Sequence, residues 1–315
     1  MDVLDNLIVA LNAVLPLMIY MGIGLVLRQK EHFSDVIISN FNKLVFKVFL
    51  PVNMFVSVYV ANVKEALQPS LLLYAVAGIL FVYVLAFILV THFVKENPKR
   101  GAMIQIIYRS NFILLGAPIV ENIYGGNSIA TPLMVGAFIA SLYNILAVFT
   151  FEYFRSSNFN LKKLLIGVLK NPMIIGGIVG LVFKLMPFTL PTMLIRPLSN
   201  VAKCTTPFAL IVLGSSFSMQ CAMTEIREIM ISVIGRLVFT PAIIIGGGIL
   251  LGFRGLQLAT LMGMSATPAA VAAYPMAQQM GGDADLSGSC VILTSALACF
   301  TIFLWVLALK TFGLL

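Results

Sequence analysis

The sequence predicts an all-α integral membrane protein of ten transmembrane helices, built as two inverted five-helix repeats in which broken helices 4 and 9 cross. Three observations predict it. Hydrophobic residues fill 60% of 315 positions and charged residues 10%, with a mean hydropathy of +1.03, against roughly half apolar and a quarter charged in a soluble domain. Charge, Gly and Pro divide the chain into apolar runs near the roughly 20 residues that span a hydrocarbon core. The two halves repeat particular Pro, Gly and Lys positions at one constant offset.

The runs place helices 1 to 5 at 7–27, 36–60, 71–93, 101–124 and 131–153, and helices 6 to 10 at 164–187, 197–219, 229–252, 256–280 and 286–311. Helix 1 follows Met1 to Asn6, which carries Asp2 and Asp5 and no basic residue. It lacks the basic n-region of a cleaved signal peptide and is expected to stay. Helix 2 carries the charges Lys43 and Lys47, helix 4 contains Gly116-Ala117-Pro118, and helix 5 closes on Phe151-Glu152-Tyr153. A short link, about 154–164, leads into the second half, where helix 7 carries Lys203 and Pro207, helix 8 Arg236, and helix 9 Pro268 and Pro275.

With the N-terminus outside, ten basic residues fall in cytoplasmic loops (Arg28, Lys30, Lys95, Lys99, Arg100, Arg155, Lys162, Lys163, Lys170, Arg227) and five outside (Lys64, Lys184, Arg196, Arg254, Lys310). The positive-inside rule therefore favours both termini outside, in a multi-pass protein of the cell inner (plasma) membrane. The same rule accounts for the net charge of +8; no nucleic-acid partner is expected, and membrane lipid is the surrounding medium.

The repeat is legible residue by residue. Pro16 and Pro172 open PLMIYMGIGLVL and PMIIGGIVGLVF, pairing Gly24 with Gly180, Leu25 with Leu181 and Val26 with Val182 at a separation of 156. The same separation links Lys47 to Lys203, Pro51 to Pro207 and Gly125-Gly126 to Gly281-Gly282. The chain is thus expected to divide into repeats at 1–155 and 156–315. Five is an odd number, so the second copy enters the membrane from the opposite side, an arrangement common in secondary transporters. The plain alternative is duplication retained only for folding.

Proline removes a backbone donor and clashes with the preceding turn, and unwound backbone survives at membrane depth only beside protein or a water-filled cavity. Breaks in the corresponding helices 4 and 9 predict two interrupted helices meeting near the midplane, with half-helix N-termini seating an anion. A simple kink is the alternative for either helix alone. The candidate binding residues are Arg109, Ser110, Asn111, Gly116, Ala117 and Pro118 from helix 4, and Thr267, Pro268 and Tyr274 from helix 9. Asn111 can donate to a carboxylate and accept from freed N–H groups. Arginine in the membrane interior costs roughly 2.5–3.5 kcal/mol, which leaves Arg109 between contacting a ligand, snorkelling, or pairing with Glu121 or Glu152. Lys47 and Lys203, each four residues before a proline, are expected to neutralise carbonyls released there; the alternative is that Lys43 and Lys47, one turn apart, snorkel to the cytoplasmic face. Arg236 is expected to be paired or snorkelled.

Cys204, Cys221, Cys290 and Cys299 form no C-x-x-C pair and have no companion histidines, so neither a disulfide framework nor a metal site is indicated. With only His32 and His92, and no nucleophile and base at a recognisable spacing, the chain does not read as an enzyme.

Five segments, NKLVFKVFLPVNMF (42–55), SNFILLGAPIVENIYGG (110–126), FEY (151–153), TTPFALIVLGSSF (205–217) and TPAAVAAYPMAQQMGGDADLS (267–287), resemble in order and spacing those of the auxin efflux carrier family. The chain is similar to compact prokaryotic members, within the superfamily of bile-acid, arsenite and riboflavin transporters. The resemblance implies a fold related to bile-acid symporters and sodium/proton antiporters. It also implies a scaffold of helices 1, 2, 6 and 7, a moving domain of helices 3–5 and 8–10, and a homodimer through the scaffold. It puts Asn111 and the Pro118 crossover at a carboxylate site. Asn144 stands where plant members have a ligand-facing tyrosine, and Ala273 where they have a second helix 9 proline; both departures argue against an indole ligand.

The function expected is a carrier for a small organic anion, a mono- or dicarboxylate, with no cofactor and with sodium, protons or no ion as the driver. The alternatives are a monovalent cation/proton antiporter, which would need carboxylates near the crossing, and a membrane receptor that binds without transport.

Overall fold

A computed structural model describes residues 3–60, 68–125, 130–155, 161–187, 189–217 and 223–315. Lys64, Gly126 and Cys221 lie outside them. The described residues are helical apart from short links and one isolated antiparallel bridge, Ser110 to Ala269. Helix α1 spans Val3–Gln29, α2 Asp35–Val60, α3 Pro69–Phe93, α4 Asn97–Tyr108, α5 Phe112–Tyr124 and α6 Ala130–Arg155. The second half holds α7 Leu161–Lys170, α8 Pro172–Leu185, α9 Thr192–Ser216, α10 Ile226–Leu250, α11 Gly255–Ala266, α12 Ala273–Met280 and α13 Ala284–Thr311. Helices α2, α3, α6, α10 and α13 are each long and apolar enough to cross a membrane.

Proline shapes these helices differently from the sequence reading. Widened π-turns occupy Val45–Phe49 in α2, Phe112–Gly116 in α5 and Gly235–Phe239 in α10, each ending two residues before a proline: Pro51, Pro118 and Pro241. A proline ring clashes with the carbonyl four residues back, and a local i→i+5 turn makes room for it. Helix 4 is therefore not interrupted at Gly116-Ala117-Pro118. Its break lies a turn earlier, at Arg109-Ser110-Asn111. Helix 9 does break around Pro268, between α11 and α12, whereas Pro275 sits in the first turn of α12, where a missing N–H is harmless. Helix 6 divides at Asn171, whose side chain caps α8 by accepting from Met173 N at 3.0 Å.

The widened turn also removes the reason for a lysine beside Pro51. Lys47 and Lys203 are exposed, and among the described residues neither ammonium bonds to a released carbonyl. Cys204, Cys290 and Cys299 are free thiols.

Glycines set the closest helix crossings. A Cβ on Gly24 would strike Ile211 O, and one on Gly214 would strike Met21 O, so α1 and α9 touch backbone to backbone. Gly176 and Gly180 bring α8 equally close to Pro51 and Phe55 of α2. Small residues of this kind let membrane helices pack closely where no hydrophobic force favours association. Gly24→Leu and Gly180→Leu should each destabilise by at least the roughly 1–3 kcal/mol of an overpacked core. Gly22→Leu, with nothing within 4 Å of its Cβ, should leave the thermal unfolding midpoint in detergent unchanged.

Candidate functional site

Buried within the fold, the extended stretches 109–111 and 267–270 run antiparallel past each other. Asn111 N donates to Pro268 O at 2.9 Å and Ala270 N to Arg109 O at 3.2 Å. Just beyond, Gly116 in α5 lies against the backbone of Gly263 in α11, so close that a Cβ would clash. Two helices, α4 and α11, thus end at the crossing, and two, α5 and α12, begin there.

Helix C-termini present unsatisfied carbonyls and a partial negative charge, and N-termini the reverse. The two ends are treated differently here. Arg236, in the π-turn of α10 and 0% exposed, directs all five N–H donors of its guanidinium at carbonyls of both C-termini. Nε donates to Thr267 O at 3.0 Å, Nη1 to Ile107 O at 3.2 Å and Tyr108 O at 3.1 Å, and Nη2 to Met264 O at 3.3 Å and Ser265 O at 2.5 Å. It is neither snorkelled nor paired with an acid. Thr240 adds a bond to Ile107 O at 2.9 Å. The negative ends are thereby neutralised, and the positive ends of α5 and α12 remain.

Those positive ends open on a cavity of about 160 Å3. Ile113 and Leu114 line it from the start of α5, Val271 and Ala272 from just before α12, and Arg109, Ser110 and Asn111 from the break itself. The Arg109 side chain is 4% exposed and is held by neutral groups: Nη1 donates to Gln105 Oε1 at 3.0 Å and to Met276 Sδ, and Nη2 donates to Asn144 Oδ1. Gln105 is itself fixed to Ala273 O at 3.1 Å, and Asn144 to Met54 Sδ. Glu152 pairs instead with Arg155 at 3.7 Å. Among the described residues no carboxylate lines the cavity and none pairs with either buried arginine. The Asn111 Nδ2 amide is buried with no acceptor. Across from these donors stand Asn53 and Ser57 of α2 and Thr205 and Thr206 of α9, while Tyr143 closes one side, its hydroxyl 3.2 Å from Ser110 Oγ.

Of the residues singled out in the sequence, the cavity brings together Arg109, Ser110, Asn111 and Asn144. Gly116, Ala117 and Pro118 lie one turn into α5, where Gly116 serves the close crossing with α11. Thr267 and Pro268 contribute backbone carbonyls to Arg236 and Asn111. Tyr274 faces a separate cavity of about 420 Å3, with Asp285, Gln278 and Ser216. Asn53, Thr205 and Thr206 were not singled out, although the segments 42–55 and 205–217 contain them. Their proximity to Arg109 depends on how distant helices cross, which spacing along the chain does not carry.

A family model described as membrane transport protein matches residues 9–306, and the chain belongs to that family. It is a family of transporters rather than enzymes. No curated protein matches the chain.

Proposed function

We propose that this membrane transport protein is a secondary carrier that moves a small organic anion, a mono- or dicarboxylate, across the inner membrane by alternating access. The single observation that carries the reading is the crossing cavity itself. It holds a buried guanidinium without a carboxylate and an amide nitrogen without an acceptor, at the positive ends of two half-helices. A bound carboxylate supplies what all of these lack. Arg109 and Asn111 bind it, Asn144 and Gln105 aim Arg109, and Arg236 holds the two chain breaks in place. The cavity's volume is well below the roughly 300–1,000 Å3 of pockets that bury drug-sized ligands, which favours a cargo of few carbons.

Alternating access by two inverted repeats, 1–155 and 156–315, with helices 1, 2, 6 and 7 as scaffold and 3–5 and 8–10 moving, is part of the proposal. Helix ends support it. The pairs Gln29 and Leu185, Val60 and Ser216, Tyr124 and Met280, and Arg155 and Thr311 each close corresponding helices 156 residues apart. Thr205 Oγ1 donates at 3.2 Å to the carbonyl of Phe49, its own repeat mate 156 residues away; such a bond belongs near a two-fold axis. A homodimer through α2 and α9, with both termini outside, completes the proposal. Lys47 and Lys203, exposed in the middle of those helices, would cost about 2.5–3.5 kcal/mol each against lipid, which supports a covered face.

Uptake of radiolabelled short mono- and dicarboxylates into proteoliposomes tests the reading. Saturable uptake of at least one anion is expected, and Asn111→Ala should weaken it roughly ten-fold or more, one hydrogen bond to a charged group being worth about 1.5–3 kcal/mol. Absence of saturable uptake across the panel would exclude it. Imposed sodium or proton gradients in the same assay assign the driving ion.

A further inference from the structure

Beside the crossing, but facing outward, lies a second groove of about 390 Å3 that the carrier reading does not use. It runs between α2, α6 and α8, and Met54 forms the partition between it and the crossing cavity. Phe138, Ile145, Ile178 and Leu181 flank it with 39%, 48%, 46% and 48% of their surface exposed. Among the described residues its polar side chains are Ser141, whose hydroxyl is already bonded to Ala137 O at 3.1 Å, and Lys184 at one end. A polar ligand would find no partner along its length.

We propose that this groove holds one acyl chain of an anionic phospholipid, with Lys184 binding the phosphate. Two dimensions fit. From Ile174 to Lys184 the α8 wall rises about 15 Å at 1.5 Å per residue, and half of a hydrocarbon core of roughly 30 Å is about 15 Å. The groove is therefore one leaflet deep, with a cation at the end where headgroups lie. Lys184 Nζ donates to Val58 O at 3.4 Å, and an ammonium has three donors, so two remain for phosphate oxygens. No carboxylate pairs with it among the described residues.

The full chain, purified in mild detergent, would be titrated with phosphatidylglycerol while thermal unfolding is followed. A saturable rise in Tm is expected. Lys184→Gln should raise the half-saturating lipid concentration about ten-fold, the loss of a charge-assisted bond. A Cβ on Gly177 meets only Met54 at 3.4 and 3.5 Å, so Gly177→Leu grows into the groove and should abolish the rise. Ser141→Leu fills it from the opposite wall and should do the same, deciding the matter if the first variant fails to fold. Wild-type half-saturation in a folded, groove-filled variant would overturn the proposal. So would an equal rise with inorganic phosphate alone, which would assign the effect to Lys184 without an acyl chain.

Discussion

Arg236→Met is expected to yield no monodisperse protein in detergent. The five carbonyls bound by this guanidinium belong to the ends of α4 and α11, and no water reaches a residue that is 0% exposed. A buried polar group left unsatisfied costs about 1–3 kcal/mol. Thr240 still serves Ile107 O, and the other four together approach the whole stability of a typical protein, roughly 5–15 kcal/mol. Lysine restores the charge but only three donors, so Arg236→Lys should fold with a much lower unfolding midpoint. Size-exclusion profiles and thermal unfolding of the three proteins, each in the same detergent, check the order. A methionine variant as stable as the wild type would mean that the crossing does not depend on this clamp.

The composition made the helical membrane architecture legible, because apolar length and the demands of Pro and Gly are local properties. The position of the helix 4 break was not. Pro118 is the conspicuous breaker, yet the preceding π-turn takes up its ring and the helix runs on through it. Arg109, Ser110 and Asn111, which carry no breaker, are where the chain opens, because there the two strands satisfy each other's backbone groups. Arg236 was opaque for a related reason. Its partners are main-chain carbonyls, identical in every residue, so nothing in the sequence marks them. Asn111 was readable because a polar amide beside a break has few uses, whereas Asn53 and Thr205 acquire theirs only when α2 and α9 are brought against the crossing.

On the proposed function the two buried arginines should separate stability from transport, and Arg109 should give the complementary result. Arg109→Gln should unfold at the wild-type temperature or above it. Its guanidinium bonds only to Gln105, Met276 and Asn144, neutral groups that can repair among themselves, and removing a buried, unpaired cation relieves its desolvation. Anion uptake should nonetheless collapse. Truncating one partner of a buried, hydrogen-bonded charge pair costs about 2–5 kcal/mol, which corresponds to a loss of roughly one and a half to three and a half orders of magnitude in kcat/KM. Arg109→Lys keeps the charge but not the planar fork held by Asn144, so its uptake should fall between the two while its stability stays high. Parallel measurement of Tm and of proteoliposome uptake distinguishes a ligand from a strut: if Arg109→Gln loses stability and transport together, Arg109 is part of the frame, as Arg236 is, and the anion must be bound by Asn111 and the half-helix N-termini alone.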